Sequence, residues 1–142
     1  MIILDTKVIS EVMLPSPSAA VLAWLRAMPI GELATTTICL AEIGYGLARS
    51  PFGHRRRECE ALFSRYRSEI FESRIFAFDS LAADTYGELV AGRDRAGRPL
   101  VGPDGFIAAI AASRGLGIAT RDVRGFEGCG IEVVNPWEAA AT

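Results

Sequence analysis

Four carboxylates, Asp5, Glu42, Asp104 and Asp122, stand in surroundings where solubility does not call for an acid. Asp5 directly follows the apolar run Ile2-Ile3-Leu4, and Asp122 follows Ile118-Ala119-Thr120-Arg121. Glu42 lies between Ala41 and Ile43, while Asp104 follows Pro103 and opens an alanine-rich apolar stretch. If these four segments meet, their acids repel one another unless cations neutralise them. Hard oxygen ligands that leave room for water suit Mg²⁺ or Mn²⁺. The matching chemistry is phosphodiester hydrolysis, in which such ions polarise phosphoryl oxygens, generate a nucleophile from water and stabilise the leaving oxygen. His54 is the only histidine, which excludes a ribonuclease mechanism built on a histidine pair. Blander roles compete at two positions: Asp104 also fits a helix cap, and Asp122 a turn. A charge directly after a buried strand, as at Asp5, and a carboxylate on an apolar helical turn, as at Glu42, are harder to assign to solvent.

The elements that would position these acids follow from pattern and punctuation. Ile2-Ile3-Leu4 is short and rich in β-branched residues, as a buried parallel strand is. A helix is expected from about Pro17 to Met28, a strand over Leu33 to Ile38 and a helix from Leu40 to about Ala48. Pro51-Phe52-Gly53 marks a break before a charged helix from His54 to Ile70. Arg74 to Phe78 alternates as a strand, and Asp79-Ser80 caps a helix to about Ala91. Gly92 to Gly102 reads as a loop. Phe106 to Ser113 reads as a helix closed by Gly115, with strands at Gly117 to Thr120 and Ile131 to Val134. Strands alternating with helices predict a parallel sheet covered on both faces, a three-layer α/β/α sandwich. Asp5 and Asp122 would then lie past the carboxyl ends of strands, where open parallel sheets bind their ligands.

With 142 residues and half of them hydrophobic, residues 1–142 fit a single domain. A charge as early as Asp5 leaves no room for a signal-peptide apolar region, and no stretch reaches the ~20 apolar residues of a membrane span, so a cytoplasmic location is expected. Cys39, Cys59 and Cys129 are odd in number and widely spaced, as buried small hydrophobes would be. The formal net charge of −2 argues against a broad basic surface; without the four acids the remainder would carry −2 + 4 = +2, which tolerates a phosphate backbone.

Five segments in order resemble the PIN-domain toxins of bacterial toxin–antitoxin pairs, in particular VapC-like and FitB-like ribonucleases. They are Met1-Ile2-Ile3-Leu4-Asp5-Thr6 with Val8-Ile9-Ser10-Glu11, Ala41-Glu42-Ile43 with Gly46, Asp104-Gly105-Phe106-Ile107-Ala108-Ala109, Ala119-Thr120-Arg121-Asp122, and Asn135-Pro136-Trp137. The resemblance spans nearly the whole chain. It implies a central parallel sheet of about five short strands, RNA cleavage dependent on Mg²⁺ or Mn²⁺, and a homodimer. It also implies inhibition by a small antitoxin protein, with operator DNA bound only through that antitoxin. Asp5, Glu42, Asp104 and Asp122 fall on the family's metal-binding acids, Thr120 on a hydroxyl position beside them, and Thr6 next to the site.

The chain departs from that pattern at Lys7, where these proteins read Asn; Lys7 is the only lysine, the other basic residues all being arginine. Its side chain would either extend into water or reach the carboxylates, compete with a cation and weaken metal binding and activity. A catalytically weakened subunit that acts mainly by completing an antitoxin complex on operator DNA is therefore the alternative to an active ribonuclease. Arg93, Arg95 and Arg98 border Asp104 in the expected loop, and Arg121 and Arg124 flank Asp122; all five are candidates to meet RNA or an antitoxin carboxylate. Arg55-Arg56-Arg57 reads as a solvated face, and Trp24 and Trp137 as core or interface.

Overall fold

The computed structural model describes residues 1–139. Its elements in chain order are β1 (Ile2–Leu4), α1 (Thr6–Val12), α2 (Ala19–Ala27), β2 (Leu33–Thr36), α3 (Thr37–Ala48), α4 (His54–Arg65), β3 (Ile75–Phe76), α5 (Ser80–Arg95), α6 (Asp104–Arg114), β4 (Gly117–Ala119), α7 (Val123–Phe126), β5 (Val133–Val134) and α8 (Pro136–Ala139). The five strands form one sheet in the order β3-β2-β1-β4-β5, every neighbouring pair parallel. The register pairs Ile3 with Ala34 on one side of β1 and Leu4 with Ala119 on the other.

The central strands β2, β1 and β4 are largely buried and the edge strands β3 and β5 half-buried, and the alternation of side chains along β1 divides the core in two. Ile3 and Ile118 pack against Ile107 to Ala111 of α6 and Ala82 of α5. Ile2 and Leu4 face the opposite layer, with Val8, Ile9 and Met13 from α1, Val21 from α2 and Ile43 from α3. Helices therefore cover both faces, as the alternating pattern predicts. From β1 the chain moves outward to β2 and β3, then returns to place β4 on the other flank of β1. The order reverses between β1 and β4, and the crevice beyond their carboxyl ends is where such sheets bind ligands.

Several boundaries move for identifiable reasons. The expected strand over Leu33 to Ile38 stops at Thr36, whose hydroxyl accepts the Cys39 N–H at 3.0 Å and so opens α3 at Thr37. The charged helix ends at Arg65 and continues as a π-helical turn over Tyr66–Phe71 that buries Phe71. The expected loop from Gly92 is corrected, because α5 runs on to Arg95 and buries Arg93. Its last turns are held by tertiary bonds that local sequence does not announce.

Candidate active site

Each acid reaches the crevice by a different local device. Asp5 is the residue on which β1 ends and α1 begins: its N–H completes the sheet ladder to the Ala119 carbonyl, and its carboxylate accepts the Thr6 N–H at 2.8 Å. It is only 6 % exposed. Glu42 lies on the second turn of α3, half-buried, and its Oε1 accepts the Thr6 hydroxyl at 2.7 Å. Asp104 is the first residue of α6, half-buried; the cap position belongs to Pro103, with no side-chain cap bond, so Asp104 is not spent on capping. Gly105 behind it suits a close contact, since a Cβ there would lie 3.2 Å from the Tyr86 ring of α5 and push that ring aside.

Asp122 is the exposed member. Its Oδ1 accepts the Gly125 N–H at 3.1 Å, capping the short α7, so here the turn role and proximity to the other acids coexist. Thr120 ties it to the buried member: its hydroxyl donates to Asp5 Oδ2 at 2.8 Å and accepts the Asp122 N–H at 3.1 Å. A Cβ on Gly125 would stand 2.4 Å from Asp122 Oδ2, so only glycine lets that carboxylate fold against α7. Cys39, read from sequence as an inert hydrophobe, lies beneath the cluster among Thr36, Thr6 and Thr35. Burial, with Asp5 close by, pushes its thiol up to about 11.

The four acids share one electrostatic field. Burial pushes the Asp104 carboxyl up to about 6, and the charges of Asp5, Asp122 and Glu42 add to the rise while Lys7 opposes it. Asp5 is raised as well, mainly by burial and further by Asp122; the Thr120 hydroxyl, the Thr6 N–H and Lys7 pull the other way. Lys7 itself is exposed and lies within 4 Å of no carboxylate among the described residues. The donor chemistry, all carboxylate and hydroxyl oxygen with uncompensated negative charge, fits a hard divalent cation. Among the described residues no three His, Cys, Asp or Glu side chains close on one point as a finished ligand cage. An ion here would keep water in part of its coordination sphere, as Mg²⁺ does.

This arrangement sets the pH dependence of stability. The folded pKa of Asp104, about 6, lies above its ordinary 3.8. The folded state thus binds the extra proton: the contribution is fully present below about pH 4 and is lost as pH rises through 6. In chelator, Asp104→Asn is expected to gain about 1–2 kcal/mol at pH 8 after discounting for the solvent-screened half of the carboxyl, and nothing at pH 4. Urea unfolding at the two pH values measures this. An equal effect at both would mean that neither burial nor the neighbouring acids raise Asp104.

The arginine candidates separate. Arg93 is corrected: it is 6 % exposed, its guanidinium donates to the carbonyls of Arg98, Gly125 (3.0 Å) and Glu127 (2.8 Å), and Cys129 Sγ lies 3.4 Å away. It cannot meet a ligand; it holds the peptide whose N–H binds Asp122. Arg95 stands 3.8 Å from Glu88, and Arg98 donates to Glu127 at 2.9 Å. Arg121 and Arg124 are exposed, and Arg121 lies over the Trp137 ring at 4.9 Å.

A parallel sheet ordered β3-β2-β1-β4-β5, with acids near enough to its β1–β4 crevice to shift one another, defines an α/β/α protein with an acidic sheet edge. The PIN-domain family profile matches residues 2–128, and the chain belongs to that family. It is 40% identical over 143 residues to the VapC ribonuclease Y4jK of Sinorhizobium fredii, covering 99% of this chain and all of that protein. It is 33% identical over 137 residues to the toxin FitB of Neisseria gonorrhoeae, covering 96% of this chain and 99% of that one. The solved structure of FitAB bound to the IR36 DNA fragment superposes with a TM-score of 0.90 at 32% identity, covering 96% of both chains.

Proposed function

We propose that the chain acts as one PIN domain, a cytoplasmic endoribonuclease toxin that hydrolyses RNA phosphodiesters with Mg²⁺ or Mn²⁺ held by Asp5, Glu42, Asp104 and Asp122. The observation that carries this reading is the setting of Asp104, which burial pushes up to about 6 with the charges of Asp5, Asp122 and Glu42 adding to the rise, an excess of negative charge that a bound cation relieves. When bound, the ion supplies polarisation of the phosphoryl group and activation of water. The chain's own residues do the rest. Thr120 and the Thr6 N–H fix Asp5, Thr6 fixes Glu42, and the Gly125 N–H fixes Asp122, so three of the four acids are oriented before substrate arrives. Asp122, the most exposed of the four acids, is the one that would orient the attacking water.

The relatives, a ribonuclease and a toxin by name, support the substrate and the biological class. The complex of FitAB with DNA supports a small antitoxin partner that brings the pair to operator DNA. An open apolar groove of about 340 Å³ lined by Leu4, Ile9, Val12, Leu22, Leu25 and Tyr66 offers such a partner an anchor. Assembly as a homodimer completes the reading. Among the described residues no helix is long and apolar enough to cross a membrane. Incubating the protein with labelled RNA and DNA, in Mn²⁺ and in chelator, tests the activity: RNA cut only with Mn²⁺ is expected, and cleavage that survives chelation would sink the reading.

Lys7 favours a second reading, a weakened enzyme whose main role is to complete the antitoxin complex. Its charge acts on both Asp5 and Asp104, in competition with a cation. Lys7→Asn is expected to tighten Mn²⁺ binding by about two- to fivefold, the scale of one screened charge. Calorimetric titration measures it, and unchanged affinity disposes of the weakening.

A further inference from the structure

Beside the acids runs a second, smaller groove of about 240 Å³, bounded by Lys7, Ser10, Glu11 and Leu14 of α1 and by Arg121 and Trp137 from the far end of the chain. Two cations and one anion line it. Among the described residues neither Lys7 nor Arg121 lies within 4 Å of a carboxylate. Glu11 is otherwise engaged, its Oε2 accepting the Ser18 N–H at 2.9 Å at the foot of α2. The groove thus offers two unspent positive charges to a ligand.

Its position is set by the same loops that carry the acids. Lys7 lies two residues after Asp5, and Arg121 immediately precedes Asp122, so a strand lying in the groove passes the crevice between β1 and β4. Arg121 is held for this. Its guanidinium carbon lies 4.9 Å from the centre of the Trp137 ring, a cation–π contact that restrains the side chain while the residue stays exposed. A guanidinium restrained by an aromatic ring loses less side-chain freedom when it binds phosphate, and a guanidinium is also a stacking surface for an unpaired base. An acidic peptide would use the charges but brings no base to stack on the guanidinium.

We propose that this groove binds the RNA strand next to the bond being cut, with Lys7 and Arg121 contacting its phosphates and a splayed base resting on the guanidinium of Arg121. The proposal rests on the ribonuclease reading and adds the path by which the strand leaves the acids. It also gives Lys7 a positive role: the side chain that competes with a cation also holds the substrate.

The salt dependence of binding separates this from a general electrostatic effect. Each phosphate contact removed lowers the slope of log affinity against log salt by about 0.7 for a single strand. Binding of a fluorescein-labelled U₁₂ oligoribonucleotide in Ca²⁺ is measured by anisotropy between 50 and 300 mM KCl, chosen on the basis of that salt sensitivity. Lys7→Gln and Arg121→Gln are each expected to lower the slope by about 0.7, and the double variant by about 1.4, while Arg57→Gln on α4 leaves it unchanged. Trp137→Leu, if folded by circular dichroism, is expected to weaken binding about fivefold with a smaller change of slope, because it frees Arg121 without removing its charge. The surface variants decide the question even if the tryptophan variant fails to fold. Wild-type protein that cuts RNA while all variants share its slope would overturn the groove and leave the nuclease reading standing. Wild-type protein that neither binds nor cuts RNA would remove both. Variants that lose binding to a hexaglutamate peptide but not to U₁₂ would make this a peptide-carboxylate site and overturn the proposal.

Discussion

Replacing Asp5 by Asn is expected to leave a protein that folds and melts at or above the wild-type temperature, yet cleaves RNA about 10³-fold more slowly, a loss of about 4 kcal/mol in transition-state stabilisation. The two halves of that expectation have one cause. Burial holds the Asp5 carboxyl above its ordinary range, so ionising it in the folded, metal-free protein costs free energy that asparagine does not incur. Asparagine keeps the shape and one oxygen for the Thr6 N–H, and its amide N–H can donate to the Thr120 hydroxyl, which turns from donor to acceptor. What it removes is the charge at the centre of the crevice, which a divalent ion needs and a fold does not. Cleavage rates in Mn²⁺ measured beside thermal melts in chelator test the pair. A variant that loses stability and activity together would make Asp5 a scaffold residue, and one that keeps its activity would take it out of the site.

How much of this was legible in the sequence depends on how local each cause is. The β-branched run before Asp5 and the alanine-rich run after Asp104 carry their structure in neighbouring residues, and the covered parallel sheet follows from their alternation. The acids stood out because each interrupts an apolar segment. Thr120 and Thr6 came only with the family resemblance; their hydrogen bonds to Asp5 and Glu42 cross 115 and 36 positions of sequence, which no pattern displays. Cys39 read as inert because a thiol's proximity to a carboxylate exists only after α3 is placed against β1. The groove at Trp137 was hidden for a related reason: its two walls are Lys7 near one end of the chain and Arg121 with Trp137 near the other.

Arg93 is the clearest case, since composition and charge marked it as a surface ligand and tertiary bonds put it inside. Nothing near position 93 could show that the Gly125 and Glu127 carbonyls, more than 30 positions away, would receive its guanidinium. Arg93→Met is therefore expected to cost about 2–4 kcal/mol, because a buried charge-assisted fork disappears and its carbonyl acceptors lose their donors. For a chain of this length that lowers the melting temperature by about 10 °C. The loss should not stay in the core. Gly125 joins the two systems, its carbonyl accepting from Arg93 while its N–H donates to Asp122, so loosening α7 frees the most exposed acid from its fixed position. Amide exchange is expected to quicken over residues 122–129 well before the central strands, and RNA cleavage to fall below that of the wild type at a temperature where both are folded. Arg93→Lys should recover only part of either property, because an ammonium cannot span the separate carbonyls that the planar fork reaches. If Arg93→Met melts with the wild type, the fork contributes nothing to stability; if it melts early yet cuts RNA at the wild-type rate below its transition, Asp122 does not depend on the loop that Arg93 holds.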